Sequence, residues 1–123
     1  MRFREFITDS GKKVLAGKNA EQNEEIVKEF EGKSNVILHT AAPGSPFCVI
    51  EDLKPNKKDI KKAAIFCAKK SQDWRDNKND VLIHIFTGKD VYKKKSMKTG
   101  MFGVKKFDVI KIKKKDIENF ECT

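Results

Sequence analysis

Arginine is scarce in this sequence. Only three of its 27 basic residues are Arg (Arg2, Arg4 and Arg75); the rest are lysine. Lysine attracts phosphate without direction, whereas base reading favours the bidentate guanidinium, so sequence-specific base readout is not expected. Cysteine is also sparse. Cys48, Cys67 and Cys122 are odd in number and contain no CxxC pair, which argues against a disulfide framework or a zinc site. Cys48 and Cys67 sit in apolar patterns and are expected in the core. No apolar run approaches a membrane span, and the opening MRFREFITDSG has no signal-peptide core. A soluble cytoplasmic protein is therefore expected. Two histidines far apart, His39 and His84, give no support for a metal pair. There is no Ser–His–Asp or Cys–His elbow, no HExxH and no phosphate loop, and Gly17-Lys18-Asn19 is not a dinucleotide fingerprint. Neither catalysis nor a cofactor or metal is expected.

What the sequence does have is positive charge. The formal net charge of +9 over 123 residues points to a polyanion bound with little sequence reading. A lysine-rich genome or a thermophile's charged surface would give the same composition. The length fits one domain, residues 1–123, able to bury a core unaided.

Residues 2–8 alternate, with Phe3 and Ile7 on one face, and read as a strand; Asp9-Ser10-Gly11 is a turn and Lys13–Ala16 a second strand, together a β-hairpin. Asn19 is a good N-cap with Gln22 three residues on, and a helix runs to about Phe30 before Gly32. Its inward stripe is Asn19, Asn23, Ile26 or Val27, and Phe30. Asn23 there either braces the neighbouring loop or faces a ligand. Val36–Leu38 and Phe47–Ile50 read as central strands around a small-residue loop with Pro43-Gly44 at its tip. A second helix starts at Pro55-Asn56, with Ile60, Ala63, Ala64, Cys67, Ala68 and Ser71 as its apolar stripe. Its lysines (Lys57, Lys58, Lys61, Lys62, Lys69, Lys70) form either a solvated face or a phosphate-facing one. Gln72–Asp80 reads as a polar connector holding Trp74. Val81–Phe86 and Phe107–Ile112 read as strands, the tail from Asp116 as one helical turn. The order predicts an α+β fold, a largely antiparallel sheet with two main helices packed on one face.

Two stretches resemble a known family. GKNAEQNEE (Gly17–Glu25) resembles the Gly-Arg/Lys-Asn-Ala-x-x-Asn-Asp/Glu motif of the NFACT-R domain. ILHTAAPGSPFCVI (Ile37–Ile50) resembles that domain's Trp-Leu-His-x-x-x-x-Pro-Gly-Ser-His-Val-Val-Ile. The Ala-rich helix, Phe86-Thr87, Val91-Tyr92-Lys93 and Gly100-Met101 continue in the same order, so the resemblance runs from about Asp9 to Ile112. Four departures stand out: Ile37 replaces the family's Trp, Pro46 replaces its loop His, the His39–Pro43 spacing is one residue shorter, and the Thr87–Gly100 segment is about one residue short, so that either Lys93 or Lys94 matches the family's lysine. The resemblance implies a free-standing RNA-binding module of ribosome-associated quality control, with tRNA or rRNA and the large ribosomal subunit as partners. It carries over Lys18, Asn19 and Asn23 from the first motif, His39, Pro43, Gly44 and Ser45 from the second, and Lys93 or Lys94, Lys98 and Gly100 from the third.

Charge and resemblance meet in one expected site. Lys12, Lys18, Lys93, Lys94, Lys95 and Lys98 form its basic rim, with Asn19, Asn23, His39 and Ser45 as polar groups. Tyr92 and Trp74 are candidate stacking residues or plain packing. His39 either meets the ligand or holds the Pro43-Gly44 loop. Two other classes stay open: a protein-interaction scaffold whose lysines are only surface, and sequence-tolerant binding of duplex DNA.

Overall fold

The structure, a computed structural model, describes residues 3–120; Arg2 and Cys122 lie outside them. Six strands form one antiparallel sheet in the order β1-β2-β4-β3-β5-β8. The strands are β1 (Arg4–Ile7), β2 (Lys13–Ala16), β3 (Val36–Thr40), β4 (Cys48–Ile50), β5 (Val81–Thr87) and β8 (Asp108–Ile112). β6 (Val91–Tyr92) and β7 (Gly103–Val104) pair separately as a small ribbon. The helices are α1 (Ala20–Phe30), α2 (Lys57–Lys69), α3 (Gln72–Asn77) and α4 (Lys114–Glu118).

The α+β class and the antiparallel sheet are as the sequence predicts. The two main helices, however, divide between the faces instead of sharing one. Strand alternation separates the apolar residues into two sets. Val14, Leu38, Cys48, Ile50 and Ile83 meet Ala63, Ala64, Phe66 and Cys67 of α2. Leu15, Ile37, Phe47 and Val49 meet Ile26, Val27 and Phe30 of α1. The central strands are short continuous apolar runs because both faces are covered. That pattern required a helix on each side.

α2 is buried more widely than its small-residue stripe, since Ile65 and Phe66 are also inside. Phe66 stacks on Phe6 with ring centroids 5.3 Å apart, and Phe120 closes the cluster. Phe6 is thus the inward residue of β1, while Ile7 is 52% exposed at the uncovered hairpin end. The expected polar connector after α2 is instead helical. Ser71 caps α3 by accepting the Trp74 N–H at 3.1 Å, and Trp74 is buried against the core with Lys69 and Lys78 over its ring. Its ring is packing and offers no stacking platform.

Candidate nucleic-acid interface

The first wall of the site is the turn from β2 into α1. Asn19 Oδ1 accepts the Gln22 N–H at 2.9 Å, and Gln22 Oε1 accepts the Lys18 N–H at 3.0 Å. This reciprocal cap fixes Lys18 and Asn19 at the helix's positive end, where backbone N–H groups favour an anion. Asn23, the polar residue on the inward stripe, accepts the Phe47 N–H at 3.1 Å, so it braces the neighbouring loop where it enters β4. A Cβ at Gly17 would run into the Asn23 amide, which is why the turn needs glycine there.

The second wall is the loop from His39 to Phe47. His39 stacks on Phe47 at 4.0 Å and 12°, beside the Ser45 backbone. Ser45 Oγ accepts the Thr40 N–H at 3.1 Å, the Thr40 hydroxyl donates to Ala42 O, and Gly44 O accepts the Gln72 N–H at 2.9 Å. These bonds hold the Pro43-Gly44 loop, with Gly44 at φ +89°, and His39 packs against its base through Phe47. Burial lowers its pKa to about 4, and the nearby His84 imidazole adds to the shift. His84 lies directly opposite in the β3–β5 register, so two histidines distant in sequence are neighbours in space.

That shift has a pH consequence. The unfolded imidazole titrates near 6.5, so the folded chain resists a proton that the unfolded chain accepts. His39's contribution is complete above that value and is lost as pH falls from about 6.5 towards 4. The loss should reach roughly 2–3 kcal/mol. Urea unfolding followed across this window measures it, and His39→Gln should flatten the slope.

The third wall is the turn after β6. Lys93 Nζ pairs with Glu24 Oε1 at 2.9 Å and donates to Lys98 O at 2.6 Å and Met101 O at 2.7 Å, over the Phe102 ring. Glu24 Oε1 also accepts the Gly100 N–H at 2.7 Å, and Lys28 reaches the other carboxylate oxygen at 3.2 Å. Burial raises the Glu24 pKa, but the Gly100, Lys93 and Lys28 contacts outweigh it and hold it at about 2. Lys93 is thus a clamp between the turn and α1, with every donor direction occupied from inside the chain.

The three walls enclose an open cleft of about 660 Å³. Lys18, Asn19, Asn23, His39 and Ser45 of the expected site line it, and Lys93 stands behind it. Lys94, Lys95 and Lys98 are exposed on the adjoining turn. Tyr92 packs across β7 at Gly103, with Lys94 over its ring. Lys12 is elsewhere, at the opposite end of β2 and paired with Asp52 at 3.2 Å. Sequence reasoning missed Arg4, Gln72 and Arg75, which also line it, and of the α2 lysines it left between a solvated and a phosphate-facing role only Lys70 reaches the cleft. Two of the three arginines therefore converge here from β1 and α3, a meeting that only the tertiary fold brings about. Among the described residues no carboxylate lines the cleft, and Arg4, Lys18 and Lys70 form no ion pair. Nor does any group of three or more His, Cys, Asp or Glu side chains gather among them, and no helix there is long and apolar enough to cross a membrane.

Residues 2–106 match the profile of the NFACT protein RNA binding domain. The chain belongs to that family. Within this NFACT-R chain the match takes in all three walls of the cleft. Over 64 residues the chain is 31% identical to the archaeal Rqc2 homolog aRqcH of Methanocaldococcus jannaschii, a stretch covering 50% of this chain and 10% of that protein. The C-terminal part of the fibronectin/fibrinogen-binding protein from Streptococcus suis shares the fold. Its TM-score is 0.83 at 21% identity, over 98% of this chain and 49% of that one. The NFACT-R chain thus spans about a tenth of its curated relative's length and about half of the solved one.

Proposed function

We propose that this NFACT-R chain is a non-catalytic RNA-binding module, holding the backbone of tRNA or of large-subunit rRNA in cytoplasmic ribosome quality control. The observation that carries the reading is the cleft itself. Arg4, Lys18, Lys70 and Arg75 converge on the capped N-terminus of α1 with no carboxylate among the described lining residues. Such a site suits a phosphate chain, and a ligand held mainly by phosphates is bound with tolerance of sequence. The family's RNA-binding description and the Rqc2 homolog favour RNA over DNA and link the module to translation. The polar groups of the cleft are engaged in holding its walls: His39 stacked on Phe47, Ser45 with Thr40, Asn23 with Phe47 and Asn19 with Gln22. That engagement suits binding better than proton transfer. Lys94, Lys95 and Lys98 extend the basic rim along the turn that bears the third wall.

The test is a salt series of binding to tRNA and to purified large subunits, with duplex DNA as competitor. Four neutralised phosphates correspond to a log–log slope of about −3. Saturable binding with that slope, displaced by RNA more readily than by duplex DNA, supports the reading. A partner that survives nuclease and high salt, with no RNA bound at low salt, would replace it with a protein scaffold.

A further inference from the structure

α1 covers only part of its face of the sheet. Beyond it β5 and β8 present Leu82, His84 and Val109, with Phe107 beside them; Phe107 is 44% and Val109 50% exposed. Phe107 stacks on His84 with ring centroids 4.0 Å apart. His84 lies opposite His39, His39 stacks on Phe47, and Phe47 meets the edge of Phe102 at 5.8 Å. The rings therefore run in a row from the uncovered strands to the basic cleft. A second depression of about 360 Å³ follows this row, and His39, Phe47 and Phe102 line both hollows.

Lysines flank the row. Lys105, Lys106, Lys111 and Lys113 are exposed and form no ion pair among the described residues. Asp108 pairs in register with Ile85, which packs on the α2 side, so strand alternation directs it to the other face. An exposed apolar patch of this kind marks a contact surface. Aromatic faces flanked by unpaired lysines fit the faces and phosphates of an unpaired strand, whereas a duplex hides its base faces.

We propose that the row is a stacking platform for unpaired nucleobases, with Phe107, backed by His84, taking the base and Lys105, Lys106 and Lys111 the adjoining phosphates. The platform rests on the RNA-binding reading above and extends it: a single strand leaves the basic cleft across His39 and His84 and lies on Phe107. Loops or ends of a structured RNA are then the parts that this protein holds.

The experiment compares two probes of equal charge and length, a ten-residue oligoadenylate and its abasic counterpart, on the full chain. The expected result is tighter binding of the oligoadenylate. Phe107→Ala should lose about 5- to 150-fold on it, the range for one stacked base, and nothing on the abasic probe. Phe107→Trp should keep the affinity and show indole fluorescence quenched by the oligoadenylate alone. Equal losses on both probes, or no loss on either, would overturn the platform and leave the RNA-binding reading standing. Wild-type protein that binds neither probe nor tRNA would remove that reading, and the platform with it. Concentration-dependent self-association abolished by Val109→Lys, with Phe107→Ala inert towards RNA, would give the face to a second copy and overturn the platform.

Discussion

Reversing Lys18, Lys70 and Arg75 together to glutamate should weaken tRNA binding by at least about 100-fold near 0.1 M salt. All three line the cleft and are exposed, so their replacement should change stability by only about 0.5 kcal/mol each. Each contributes a cation at a phosphate position, and loss of one such contact lowers the salt slope by roughly one. Reversal also installs three repelling charges around the α1 N-terminus, where the uncompensated end of the helix favours an anion. Lys12→Glu is the control. Lys12 is a basic residue of the same type, but it is paired with Asp52 at the far end of β2. Its reversal should change affinity by about twofold, a long-range effect attenuated by salt. Binding isotherms for the triple variant and the control check both values. Similar losses in the two proteins would mean that net charge, not the cleft, attracts RNA.

The largest effect on stability should come from Glu24→Ala. Glu24 is 17% exposed and joins Lys93, Lys28 and the Gly100 N–H in one network. Its removal leaves the Lys93 ammonium, itself 19% exposed, without its counter-charge and the Gly100 N–H without an acceptor. Together these should cost about 2–3 kcal/mol, with a fall in Tm on the order of 10 °C. Lys93→Ala should cost a similar amount. The double variant should be less destabilised than the sum, since both changes remove the same pair. The sign with pH follows from the lowered Glu24 value. The folded carboxyl titrates at about 2 and the unfolded one near 4.5, so this stability is complete above pH 4.5 and disappears as pH falls through 2. The window lies below that of His39, so a pH series of unfolding separates the two. For the same reason Lys93→Glu is a poor probe of RNA contact: it sets two carboxylates against each other and frees the turn that carries the third wall.

Much of this was legible in the sequence, for identifiable reasons. The Asn19 cap, the helix start at Pro55-Asn56, the α2 stripe and the glycine stop after Phe30 are local signals, and each element formed where its signal stood. Continuous apolar strands signalled burial on both faces, but not which helix covers which face. α1 and α2 are joined through two strands, and their sides depend on the sheet order. The cleft was half visible. Asn19, Asn23, His39 and Ser45 belong to compact motifs and do meet. Arg4 and Arg75 come from distant elements with no local signature. Lys93 carries the same charge as its neighbours Lys94 and Lys95, and only the position of Glu24, 69 residues away, turns it from rim to clamp. Trp74 lay in a polar run whose helical cap, Ser71, doubles as the last member of the α2 stripe.

The most direct test of the central claim is titration of isotopically labelled protein with tRNA, following backbone amide shifts. Perturbations centred on Gly17, Asn19, Ser45, Gln72 and Gly100, declining with salt, are the predicted result. Perturbations confined to the lysine face of α2 at Lys57, Lys58, Lys61 and Lys62, with the cleft amides unmoved, would contradict it.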